Sequence, residues 1–159
     1  MQEIVDKLKD ANRLMNAADH LAYVTYPLIK DNKLIITIAE NLNSALLNLM
    51  EALLMYERAY KRIPPYPENF DMRLQIFKEK IANRYNIDRS YIVLIEDLKK
   101  LVDERKKSTM EFIRHDKYVL FNKNMSIKSI TLEKVKKYLN ESKPLFLKVN
   151  TLLKDVRPY

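Results

Sequence analysis

The sequence predicts a mainly α-helical protein: a single antiparallel bundle of about five helices, with a small β-hairpin near residues 117–130. Three observations lead there. Apolar residues recur at intervals of three and four through most of the chain, the breaks fall at clusters of Pro, Asn and Asp, and only 117–130 carries short runs of β-prone residues. With 159 residues, 47% of them hydrophobic, the chain is one domain, 1–159, able to bury roughly 70% of its unfolded surface without a disulfide or metal.

The elements follow in order. Ile4, Leu8, Ala11, Met15, Ala18 and Ala22 form one stripe, predicting a helix from 2 to about 26 that Pro27 ends or kinks. Asp31 caps a second helix from about 32 to 62, roughly 45 Å long at 1.5 Å per residue. Leu42, Ala45, Leu46, Leu49, Leu53 and Tyr56 fill one side, Leu47 and Leu54 widen the arc, and Glu40, Ser44, Asn48, Glu51 and Arg58 leave a narrow polar strip. A helix apolar over more than half its circumference belongs at the centre. Pro64, Pro65 and Pro67 break the chain. Phe70, Leu74, Phe77, Ile81 and Tyr85 then give a third stripe, and Asp88 caps a fourth helix carrying Ile92, Ile95, Leu98 and Val102. Tyr118 to Phe121 and Met125 to Ile130 flank Asn122-Lys123-Asn124 as a hairpin, with Arg114 and Lys117 reaching outward and Val119 and Phe121 turned to the bundle. Thr131 caps a last helix through Val135, Leu139, Phe146, Val149 and Leu153, interrupted or bent near Pro144.

Composition removes several chemistries. The chain has no glycine, so phosphate-cradling loops and nucleophile elbows, which need positive φ or a missing Cβ, are excluded. It has no cysteine, which excludes a disulfide framework, a zinc ribbon and a thiol nucleophile and fits a reducing compartment, the cytoplasm. The opening residues carry charges every few positions and no apolar core of a signal peptide, and no stretch reaches the ~18 apolar residues of a membrane span. Neither histidine follows the Glu-x-x-His pattern, and Glu40 and Glu51 are about 16 Å apart along their helix, too far to grip one ion. No metal or other cofactor is expected.

Charge is unevenly spread. Residues 1–97 hold 13 Lys or Arg against 14 Asp or Glu, whereas 98–137 hold 12 against 5, so nearly all of the formal net charge of +8 lies in one quarter of the chain. Lys106, Lys107, Arg114, Lys117, Lys123 and Lys128, with Phe112, Tyr118 and Phe121 among them, are the candidate nucleic-acid contacts: cations neutralise phosphates and aromatic faces stack on unpaired bases. The same residues also read as solvating lysines and core aromatics, and an acidic protein or an anionic membrane surface would be served by the same patch. The string "EFIRHDKYVLFN" places Arg114 and His115 side by side, which on a strand sends them to opposite faces, so it reads as a charged segment and not as a base with its partner.

A bundle of long helices with a basic surface and the spacing Arg13-Leu-Met-Asn-Ala-Ala-Asp-His20 resembles the HEPN superfamily of small helical domains, many of them metal-independent ribonucleases acting as homodimers. The resemblance implies a homodimer, with His20 as acid or base and Arg13 as the phosphate-stabilising cation, and Asp19 near. Arg13 and His20 lie opposite the Ile4 to Ala22 stripe, facing solvent or a dimer interface, and the motif here lies early in the chain, where the family usually carries it late. "DHLAYVTYPLIKDNKL" and "EFIRHDKYVLF" are also similar to uncharacterised archaeal helical proteins. Three functions remain open: a module binding RNA or a ribonucleoprotein through 98–137, a HEPN-like ribonuclease using Arg13 and His20, and a non-catalytic protein-interaction bundle.

Overall fold

A computed structural model describes residues 1–107, 110–114, 117–121 and 127–156; within the strands, side chains are described for 117–120 and 129–131. The described helical segments run as five rods. The first joins α1 (Gln2–His20), a π-helical turn (Leu21–Thr25) and α2 (Tyr26–Ile29). It does not stop at Pro27. Within the π-turn the N–H of Tyr26 donates to the carbonyl of Leu21, five residues back. Proline has no N–H and crowds the carbonyl four residues before it, so a turn wound one residue wider lets the rod pass. The rod ends at Lys30, which takes a left-handed conformation at φ 55°.

α3 (Lys33–Ala59) is the second rod. Asp31 accepts the N–H of Lys33 at 3.0 Å and so caps its start, as its position implied. Its end falls three residues short of Arg62, because Lys61 turns left-handed and the N–H groups of Lys61 and Arg62 donate back to the carbonyls of Arg58 and Glu57. That is the pairing with which helices commonly stop. α4 (Phe70–Ile76), a second π-turn (Phe77–Ile81) and α5 (Ala82–Tyr85) make the third rod, stopped in the same way at Asn86. α6 (Arg89–Lys107) follows, with the Asp88 carboxylate accepting from Ser90 N–H at 2.8 Å. α7 (Leu132–Leu152) is capped by Thr131, whose Oγ1 accepts the N–H of Lys134 at 3.1 Å. It runs through Pro144 uninterrupted.

α3 is the centre. It packs along α1 and also meets α6, α7, both π-turns and the sheet. Leu46, Leu49 and Leu53 are at most 2% exposed. No helix among the described residues is long and apolar enough to cross a membrane.

Between α6 and α7 lies an antiparallel meander of β1 (Met110–Arg114), β2 (Lys117–Phe121) and β3 (Ile127–Thr131), in that order. The expected hairpin is present as β2 and β3, and β1 adds a strand on its other side. Register pairs Ile113 with Tyr118 and Tyr118 with Ile130. Tyr118, Leu120 and Ile130 join the bundle core. This corrects the expected facing: Val119 shares a face with the exposed Lys117, so it turns away from the core and is buried outside it. The facing of Phe121 and the outward reach of Arg114 lie outside the described side chains.

Leu49→Ala removes a fully buried side chain from the helix all others pack on. It is expected to cost about 3 kcal/mol, read from the urea midpoint. Leu147→Ala, at a position 71% exposed, should stay within about 0.5 kcal/mol.

Candidate functional site

Four separate segments meet at the sheet-bearing end of the bundle. The turn 30–32 joins the first two rods, α6 ends at Lys107, β3 runs directly into α7, and β2 and β3 rest on α3. The ion pair of Arg105 with Glu40, 3.5 Å, fixes the end of α6 to the early turns of α3. Among the described residues, Lys30, Lys33, Lys106, Lys107, Lys117, Lys134 and Lys137 are all exposed on these segments, against the exposed carboxylates of Asp31, Glu133 and Glu141.

Not every cation of 98–137 is available to a ligand. Lys99 donates to both oxygens of Asp103 at 2.7 and 2.8 Å, Arg105 is held by Glu40, and Lys137 lies 3.9 Å from Glu141. Lys106 and Lys107 are exposed, at a helix C-terminus that itself favours cations. Lys117 is exposed at the start of β2, as register partner of Arg114. Arg114 and Lys128 are described only as strand positions, and His115, Asp116 and Lys123 lie outside the described residues. Lys100 and Lys134 flank a cleft of about 240 Å³ between α6, β3 and α7, floored by Leu101, Leu120 and Ile130 and bordered by Asp97 and Glu104.

A second polar surface runs along the seam between α1 and α7. Asn12 and Asn150 exchange amide hydrogen bonds at 2.7 and 2.9 Å, and Lys143 approaches Asp19 at 2.8 Å as an ion pair out of hydrogen-bond alignment. Further along, Tyr23 stands exposed with its hydroxyl accepting from Asn140 Nδ2 at 2.7 Å. The ammonium groups of Lys136 and Lys143 lie 5.0 and 5.4 Å from its ring centroid. Lys136, Asn140 and Lys143 recur at four and three, one face of α7. Arg13 and His20 are both exposed on α1, Arg13 beside Asp10 at 3.6 Å and His20 with Nδ1 3.4 Å from Thr25 Oγ1. Positions 13 and 20 share the face of that helix opposite the buried stripe of Ile4, Ala11, Ala18 and Ala22, so Arg13 and His20 face solvent, and the contacts described for them stay within the first rod. Sequence reasoning counts Lys136 as one charge among twelve and passes over Tyr23, Asn140 and Lys143. The spacing on α7 was the available signal, but its partner lies 117 residues earlier than Asn140.

Two further clusters are structural. Glu57, 1% exposed, is met by Arg62 at 3.0 Å, Arg84 at 3.2 Å and the Tyr85 hydroxyl. Glu51 pairs with Arg73 at 2.7 Å and accepts from Tyr66 at 3.2 Å. These partners occupy both carboxylates and pin the segment from 60 to 85 to α3. Burial, reinforced by the adjacent carboxylate, pushes the hydroxyls of Tyr66 and Tyr85 each up to about 12. Among the described residues no group of three or more His, Asp or Glu side chains is placed to hold a metal ion.

The chain matches no protein-family model, no curated protein and no solved structure.

The raised tyrosines set an alkaline limit. An unfolded tyrosine ionises near pH 10, so the folded protein holds the extra protons between about pH 10 and 12, and this stability is present below pH 10 and lost as pH rises through 12. Urea midpoints measured from pH 8 to 12 should fall for the wild type more steeply than for the Tyr66→Phe/Tyr85→Phe double variant.

Proposed function

We propose that the chain is an RNA-binding module that holds backbone phosphates on the lysines of its sheet-bearing end. The observation that carries this reading is that Lys30, Lys33, Lys106, Lys107, Lys117 and Lys134, from four separate stretches of sequence, are exposed on the segments at the sheet-bearing end of the bundle, with Asp31 and Glu133 as the exposed carboxylates next to them in sequence among the described residues. Lysines in such a cluster repel one another, and an anionic polymer relieves that repulsion while releasing its own counterions. The net charge of +8 favours the same class of partner. RNA free or within a ribonucleoprotein presents the same phosphates; an acidic protein would compete for the same lysines.

Each phosphate contact on a single strand contributes about 0.7 to the slope of log affinity against log salt. Glutamate at Lys106, Lys107, Arg114 and Lys117 together should therefore flatten the slope for single-stranded RNA by about three units, and glutamate at Lys7 and Lys9 should leave it unchanged. An unaltered slope in the fourfold variant removes these residues from the interface.

A second reading, cleavage by Arg13 and His20, is favoured by one observation: both side chains are exposed and, seven residues apart, share one face of α1. Here His20 is the acid or base and Arg13 stabilises the phosphate. His20→Ala should then abolish cleavage of RNA with the thermal midpoint almost unmoved, since an exposed side chain contributes little to stability. A wild-type protein that leaves a broad set of RNAs intact rules this reading out.

A further inference from the structure

We propose that Tyr23 is the stacking site for one unpaired RNA base, with Lys136 taking the adjacent phosphate; this rests on the RNA-binding reading above.

Tyr23 is 43% exposed, in a rod whose other face supplies the core, and its polar end needs no outside partner because Asn140 donates to it. The ring is thus held at a fixed place on the surface, which lowers the entropy cost of using it as a platform. Its two ammonium neighbours belong to one helix face and stand no more than about 10 Å apart, since each lies close to the same ring centroid. Lys136 has no carboxylate partner among the described residues, and Lys143 has Asp19. An aromatic face beside cations is the arrangement with which single strands are bound without sequence preference: the base stacks and the adjacent phosphate draws Lys136 from the ring to itself, while Lys143 stays on Asp19. Exposed Leu147, one turn beyond Lys143 on α7, extends the apolar surface in the same direction. A duplex cannot use such a platform, because its bases are already stacked and paired.

The seam that carries Tyr23 passes Asp19 and Asn12 in one direction and Lys136, near the start of α7, in the other. A strand whose phosphates lie on Lys106, Lys107 and Lys117 can continue over Tyr23.

The chain has no tryptophan, so Tyr23→Trp introduces a single indole fluorophore at the proposed platform. Uridine and adenine oligonucleotides should quench it, saturating at the affinity measured independently by anisotropy, and an RNA duplex should not. Tyr23→Leu, with helicity checked by circular dichroism, should weaken single-strand binding by roughly ten- to a hundredfold. It carries no charge change, so the salt slope should stay as in the wild type. An indole that stays unquenched in the Tyr23→Trp variant, together with a Tyr23→Leu variant of wild-type affinity, overturns the stacking site and leaves phosphate binding intact. Equal quenching by inorganic polyphosphate, which has no bases, overturns it as well. A wild-type protein that binds no RNA at low salt takes down both this inference and the reading it rests on.

Discussion

The need to bury α3 on nearly every side governs this molecule. Fourteen of its 27 residues are buried, more than one flanking helix can cover. α1 takes the longest contact, and α6, α7, both π-turns and the sheet close the remainder. The carboxylates of α3 then organise the chain around it. Glu40 is met by Arg105, Glu51 by Arg73, and Glu57 by Arg62 and Arg84, so three levels of the helix each receive an arginine from later in the sequence. A guanidinium suits this role because its planar fork makes directed bonds to a carboxylate while its stem lies along apolar surface. The deepest of these, Glu57, would be costly if left unpaired, which ties the segment 60–85 to the central helix more firmly than apolar contact alone.

With α3 fully occupied in packing, chemistry is left to the outer elements. The first and last rods lie side by side, and their joint outer surface carries Arg13, His20, Tyr23, Lys136, Asn140 and Lys143. The sheet and the helix ends beside it carry the exposed lysines. The surfaces proposed for binding therefore lie where helix ends and turns collect, as is common when a scaffold's interior is uniformly apolar.

Much of the architecture was legible because its causes are local. The stripes of three and four, and the caps at Asp31, Asp88 and Thr131, depend on residues within one turn of each other, and all three caps accept the expected amide protons. The strand face was not legible. Lys117 to Phe121 places apolar side chains at four successive positions, so there is no alternation to say which face is which, and contact with α3 decides for Tyr118 and Leu120. The run of basic residues was legible as a count but not as a surface. Pairing removes Lys99, Arg105 and Lys137 in part, and Tyr23, a single aromatic in a helix, becomes noticeable only when α7 brings Lys136, Asn140 and Lys143 beside it. Along the chain, more than a hundred positions separate that ring from those residues.

The π-turn at 21–25 bears on how this chain tolerates changes of length. Such a turn holds one residue more than the α-turn it replaces. A single-residue deletion within it would leave Ile4 to Ala18 seated on α3, because that packing lies wholly upstream. The turn would rewind as α and absorb the loss, so everything beyond would keep its direction. The exposed pair Leu28 and Ile29 would keep their side of the rod, but Pro27 would meet a tighter turn that its ring crowds. A change of length in the first rod is therefore absorbed at this turn more readily than elsewhere along it, at the cost of reseating buried Ala22 and re-aiming the ring of Tyr23.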